Sequence, residues 1–420
     1  MGNGLVSAKA AGVPSGFIYG RGIQFGPRFG FAYALTGDGK TVLRGGFGIS
    51  YDGHDDQTLI VSTVLNTDQT ATAYSGTFAT LTTAQTALYP ISVNAINPNT
   101  KTPTVYSESL GVQREIGAGT RLAVTYVGTF GRHLDQPQTA FKAIPPGSEF
   151  LPQHQDPTSP GTPLPDDFFR PYIGYSGIAL PQFVNSNYNS LQIDVLHRFA
   201  KNLEFDANYT WSKTMGYHPP FATYYNNRLH YGAISYDRIN VVRISYVYSL
   251  TKASTAPPVR WLLDNWQVSG ITQFESGFPQ SLVCQFSYPV NLFGGGDYSR
   301  CTLTGPLQLP KSQRGFYRFF NTSVIQPPTK TNPGNAAPNA FRGPGVNDWG
   351  ISLLKNIPLR ENLTLQFRAE TFNTWNHPQF NTVNNTAVFD QTGTQVNAGL
   401  GSITADYLPR QIQFALKLIF

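Results

Sequence analysis

"RQIQFALKLIF", residues 410–420, brings the chain to its last residue on an aromatic ring, where a polar and frayed end is the norm. Ile412, Phe414, Leu416, Leu418 and Phe420 fall on one side of an extended chain. Gln411, Gln413, Ala415, Lys417 and Ile419 fall on the other. A strand patterned this way needs an apolar cover for its first face.

Working outward from that strand, two-fold alternation recurs in segments of about ten to fourteen residues, the length a tilted strand needs to cross a bilayer. About eleven such segments can be drawn. "GPRFGFAYAL" and "TVLRGGFGISY" flank "TGDGK", where Asp38-Gly39 is a strong hairpin signal. "TVYSESLGVQREI" and "TRLAVTYVGTFGR" meet through "GAG", and "YNSLQIDVLHRF" and "LEFDANYTWSK" meet through "AKN". "VVRISYVYSL", "WQVSGITQFES", "VNDWGISLLKNI", "LTLQFRAETFNTW" and the terminal strand complete the set. In "LEFDANYTWSK" the apolar series is Leu203, Phe205, Ala207, Tyr209 and Trp211, against Glu204, Asp206, Asn208, Thr210 and Ser212.

Composition agrees with an all-β chain. Only 13% of the 420 residues are charged, yet no stretch approaches the roughly 18 apolar residues of a membrane helix. The 22 Tyr, 29 Phe and 5 Trp carry more aromatic surface than a disordered chain would. A net charge of +6 could suggest nucleic acid, but Lys and Arg are scattered singly, so no nucleic-acid partner is expected.

Connection lengths separate the kinds of sheet. Alternate connections are about three to five residues, with one of about fifteen at 251–265, and the rest run from about 27 to about 70. A sandwich has no reason for such alternation, whereas an outer-membrane barrel has short periplasmic turns and long outer loops. The expected architecture is therefore an antiparallel transmembrane β-barrel. Residues 1–25 read as an irregular N-terminal segment without a signal peptide, and 26–420 as barrel. The loops 52–103, 133–187, 214–240, 277–345 and 376–408, rich in Pro, Gly, Asn and Thr, read as irregular solvated chain.

In hydrocarbon a sheet spans only when its backbone is fully paired, so the greasy face meets lipid and the wet face lines a lumen. Asp194, Glu204, Asp206, Arg243, Arg368 and Glu370 fall on the wet face. Tyr51, Trp211, Trp266, Trp349 and Phe420, near strand ends, suit interfacial girdles. Arg114 and His197 interrupt the greasy face, each within two residues of a short turn. Cys284 and Cys301 share one long loop and are a possible disulfide.

The search for chemistry selects nothing catalytic. No two of the seven histidines stand at metal-ligand spacing, and "HDD" at 54–56 reads as a solvated turn. "GRGIQFG" and "RGGFGIS" lack the helix a phosphate loop requires, and no G-x-S-x-G elbow occurs. Neither an enzyme nor a cofactor or metal site is expected.

"FGPRFGFAYALTGDGKTVLRGGFGISYD", "NYTWSK", "NWQVSGITQFESGFP" and above all "RAETFNTWNHPQF" together resemble the C-terminal barrel half of TonB-dependent, Oar-like outer-membrane transporters. The resemblance implies a 22-stranded parent barrel with an internal plug, and import of a bulky nutrient energised through TonB at an N-terminal box. It implies a Gram-negative outer membrane as location. Phe414, Leu416, Leu418 and Phe420 would then be the signal read by the barrel assembly machinery. Plug and TonB box are not recognisable, and the strands number about half of the parent's, so the chain reads as a partial barrel of about 11–12 strands. TonB would be engaged only through a missing N-terminal part. Alternatives are a complete small barrel acting as pore or adhesin, and a soluble secreted carbohydrate-binding β protein.

Overall fold

The computed structural model describes residues 19–52, 91–94, 101–117, 119–136, 147–165, 175–179, 182–200, 202–217, 230–250, 262–292, 300–330 and 334–420, with the single positions 9, 10, 12, 14, 99, 168, 259 and 332. Its main sheet runs in chain order through β1 (Arg28–Ala34), β2 (Thr41–Tyr51), β3 (Thr104–Gly117), β4 (Thr120–Gln136), β5 (Gln182–Ala200) and β6 (Leu203–Tyr217). It continues through β7 (Asn240–Ser249), β8 (Trp266–Glu275), β9 (Val346–Arg360), β10 (Leu363–Phe372) and β11 (Gln411–Ile419). A short twelfth strand, Tyr231–Ala233, pairs with the end of β6 and lies off this path. Every neighbouring pair along the path is antiparallel. All the segments read from alternation are strands of this one sheet.

Local chemistry sets the short turns. At the first, the Thr36 hydroxyl donates to the Asp38 carboxylate at 2.6 Å, the Lys40 N–H donates to the same oxygen at 3.0 Å, and Gly39 takes φ 69°. Asn202 and Asn265, at φ 66° and 63°, serve two further turns as the non-glycine residue that best tolerates a left-handed backbone. Glycine also acts inside the sheet. Gly45 lies opposite Phe31, whose ring would come within 2.5 Å of an added Cβ, so the missing side chain is what lets the ring fold over the neighbouring strand.

Register then sorts the residues into two faces. Leu203, Phe205, Ala207 and Tyr209 lie opposite Tyr248, Tyr246, Ile244 and Val242, and Ala369, Phe367 and Leu365 opposite Phe414, Leu416 and Leu418. On the other face Asp206 lies opposite Ser245 and Glu370 opposite Gln413.

This sheet has no protein core. Of the fully buried apolar side chains among the described residues, Leu354 alone lies in it. Phe414 and Leu416 are 69% and 71% exposed, and Phe29, Leu110 and Trp211 are also exposed. Such a face is stable only against another apolar phase, and a lipid bilayer supplies it. β1 and β11 each have one sheet neighbour and do not pair with each other, so the sheet is an open part of a barrel.

The protein core lies in the loops, and here the structure departs from the expectation of irregular solvated chain. The described parts of 277–345 and the segment 376–408 fold together as a cap around Phe320, Phe341, Val383, Ala387 and Phe389. Val283–Phe286 pairs in parallel with Thr386–Phe389, and Phe380–Val383 antiparallel with Ile403–Asp406. Cys284 and Cys301 are joined as a disulfide with Cα atoms 5.3 Å apart. Interleaving two distant segments lets short pieces of chain bury what neither could bury alone. The "HDD" stretch at 54–56 lies outside the described residues, as do most of 52–103 and parts of 133–187 and 214–240.

Candidate functional site

Two adjoining cavities among the described residues open on the wet face, the second of them against the cap. The larger, about 590 Å³, is lined by Glu204, Asp206, Gln273, Asp348 and Glu370 together with Ser245, Ser269 and Ser352. A second, about 430 Å³, shares Gln273, Asp348 and Phe372 with the first and adds Arg238, Glu275, Gln379 and Tyr407. Leu196, Val247, Ile271 and Phe372 line the first as well, so the two form one wall, polar groups set among apolar ones, that reaches the cap at the second cavity.

Three of the residues singled out from the sequence, Glu204, Asp206 and Glu370, therefore line a single cavity. Asp206 accepts from the Asn208 amide at 2.8 Å, and Arg368 stands 3.9 Å from Glu370. Arg243 pairs with Glu275 at 3.0 Å. Asp194 lies outside both cavities, held at 2.6 Å by Arg121. The carboxylates of Glu204, Asp206, Asp348 and Glu370 and the hydroxyls of Ser245, Ser269 and Ser352 thus stand on one wall.

Where cap meets wall, an ionic junction was not foreseen from sequence. Asp237 is fully buried, pairs with Arg342 and accepts a backbone N–H from Thr214. Arg342 also donates to the carbonyls of Asp237 and Gly277 at 3.2 and 3.3 Å. Beside it Arg238 stacks on the Phe278 ring 3.3 Å from its centroid and lies 3.4 Å from Glu275. Burial lowers the pKa of the Arg238 guanidinium, and the Glu275 carboxylate opposes that shift. Asp237 and Arg342 are 105 residues apart and sit in loops without period, so no sequence signal links them.

On the greasy face the two interruptions named from the sequence, near the short turns, are both engaged. Arg114 donates to the Thr41 hydroxyl at 3.0 Å, and the His197 ring lies 2.8 Å from the Thr120 hydroxyl and stacks on Phe205. Lys355, a further interruption missed in the sequence, is buried and donates to the carbonyls of Leu262 and Asp264 in the 251–265 connection. The signal for it was available, since Lys355 alternates with Leu353 and Ile357. Among the described residues no three His, Cys, Asp or Glu side chains gather as metal ligands.

A family model described as "Outer membrane beta barrel domain" matches residues 2–413. No curated protein matches the sequence. Among solved structures, the outer membrane transporter YddB from Escherichia coli aligns at TM-score 0.43 and 10% identity, over 92% of this chain and 39% of its own. A mutant of the ferric enterobactin receptor PfeA from Pseudomonas aeruginosa aligns at 0.44 and 11%, over 94% and 40%. The FrpB iron transporter from Neisseria meningitidis aligns at 0.40 and 8%, over 93% and 38%. The chain thus spans about two fifths of the length of each of these transporters.

Proposed function

Because the chain belongs to the outer membrane beta barrel domain family, we propose that it is the C-terminal part of the barrel of a TonB-dependent, Oar-like transporter that imports a bulky nutrient. The observation that carries this reading is the wall of two adjoining cavities, about 590 and 430 Å³, in which carboxylates, hydroxyls and amides stand among apolar side chains and whose far end meets a folded cap. A wall of this size, lined by carboxylates, hydroxyls and amides, suits a polar solute handed inward from the cap. A structured cap also favours selection over free diffusion, since it can present fixed ligand contacts at the mouth.

In this reading Asp194, Glu204, Asp206, Arg243, Arg368 and Glu370 belong to the lumen wall, and TonB is engaged by a part of the protein outside this chain. Phe414, Leu416, Leu418 and Phe420 form the strand read by the barrel assembly machinery. The test compares uptake from a complex medium by cells with and without the gene, with and without collapse of the proton gradient. The expected result is that at least one solute is depleted only by energised cells carrying the gene. Identical depletion profiles in all four conditions would sink the proposal.

A further inference from the structure

The lipid-facing side of β4, β5 and β6 is not apolar to its end. Beyond the band marked by Tyr126 and Trp211 the next outward-facing positions are Asn189 and Lys213, which are register partners, followed by Asn187, level with Phe130 and Met215, and then Arg132. A β-bulge makes this change. The register shifts between Gly131 and Leu134, and His133 takes φ 54°, a left-handed conformation few non-glycine residues adopt. Bulges re-aim side chains, and this one lays Arg132 over the Phe130 ring, 5.6 Å from its centroid.

Arg132 is then fixed by the protein on one side. Its Nη1 donates to the carbonyls of Gly131 and Ser186 at 2.7 and 2.9 Å, and its Nη2 to the Asn187 side-chain oxygen at 2.9 Å. Those bonds use three of the five donors of a guanidinium. The Asn187 amide donates in turn to the Tyr231 hydroxyl at 2.7 Å, and Tyr231 packs edge-on against Tyr217. Arg132, Asn185, Asn187, Tyr217 and Tyr231 line a depression of about 370 Å³ open on the lipid side. Lys213, diagonal to Asn187 in the ladder, is exposed and adds a second positive charge. The one acid on this face of the neighbouring strand, Glu108, lies 3.2 Å from the Tyr126 hydroxyl.

We propose that this depression is a binding site for the phosphorylated headgroup of a membrane lipid in the outer leaflet. Height, charge and shape all point to that occupant. The site stands just past the aromatic band, at the level of headgroups. It offers an oriented guanidinium, an ammonium and a tyrosine hydroxyl, which suit phosphate oxygens. The rings of Tyr217 and Tyr231, which line the depression, can carry the sugar or glycerol portion. The inference requires the outer-membrane setting and the outward direction of the long loops, and it does not depend on what the barrel transports.

The test uses the protein purified in mild detergent from its native outer membrane, with bound lipid counted by native mass spectrometry and phosphorus analysis. The protein is expected to retain a phosphorylated lipid, and Arg132→Ala combined with Lys213→Ala to weaken retention about tenfold or more. Heat-modifiable gel migration reports that the double variant is folded, and Arg132→Lys, which keeps the charge without the planar fork, should fall between the two. Unchanged retention in a folded double variant would overturn the site. Equal occupancy by inorganic phosphate alone would overturn the lipid as its occupant. Failure of the uptake experiment would leave this result untouched.

Discussion

The Asp237 carboxylate has no exposed surface, and the Arg342 side chain facing it is 19% exposed. Removing one member of such a pair strands the other without water or counter-charge, which costs about 3–5 kcal/mol. Asp237→Ala is therefore expected to loosen the cap from the wall by that order, and it also removes the acceptor of the Thr214 N–H. Asp237→Ala combined with Arg342→Met should recover a large part of the loss, because no charge is then left buried alone. Hydrogen exchange across 277–345 and 376–408 measures both. A double variant no better than Asp237→Ala would mean that the junction works through hydrogen-bond geometry and not through charge. None of this was legible in the residues themselves. An Asp and an Arg in two loops have no period to relate them, whereas Asp38-Gly39 announces its turn because the chemistry is local.

At the scale of elements, the strands could be read because period two is written into each one: Phe414, Leu416 and Leu418 report one face without reference to anything else. The cap could not be read this way. Its strands are two to four residues long, such as Thr302–Leu303 and Phe380–Val383, and one of them, Val283–Phe286, takes its partner Thr386–Phe389 from a segment beyond β9 and β10. Proline, glycine and asparagine, which signal solvated loops, here turn the chain between buried apolar residues. The disulfide between Cys284 and Cys301 closes a loop with a sequence separation of 17 within that cap. Chain entropy gives such a link a value of about 3 kcal/mol, and that stabilisation belongs to the cap and not to the sheet. Cys284→Ser with Cys301→Ser should thus leave the sheet intact while opening the cap. Limited trypsin digestion checks it, with cleavage expected at Lys311, Arg314 or Arg318 in the variant and protected strands in both proteins. Equal resistance of variant and parent would show that the core around Phe320 and Phe389 holds without the link.

For the whole molecule, the direction of the strands decides how the sheet can be completed. Each step from β1 to β11 is antiparallel, so the first and the eleventh run in the same direction. Joining them would make a parallel seam in an otherwise antiparallel sheet. In an antiparallel barrel the remaining wall must contain an odd number of strands between β11 and β1. Both edges carry unpaired backbone groups, and each such group left in hydrocarbon costs several kcal/mol, so neither edge can face lipid bare. Further strands beside both edges would meet the requirement, whereas curling this sheet onto itself would need the parallel seam. Phe31 and Phe414, which both point to the lipid side, provide the check as Phe31→Cys with Phe414→Cys. In the outer membrane this pair is expected to give no intramolecular disulfide under mild oxidation, whereas Phe367→Cys with Leu416→Cys, direct partners across β10 and β11, cross-links readily. Efficient bonding between positions 31 and 414 would mean that the sheet closes on itself through a parallel seam. The polar wall would then enclose a narrow pore of eleven strands, too confined for a bulky solute, and the import reading would fall with the open sheet.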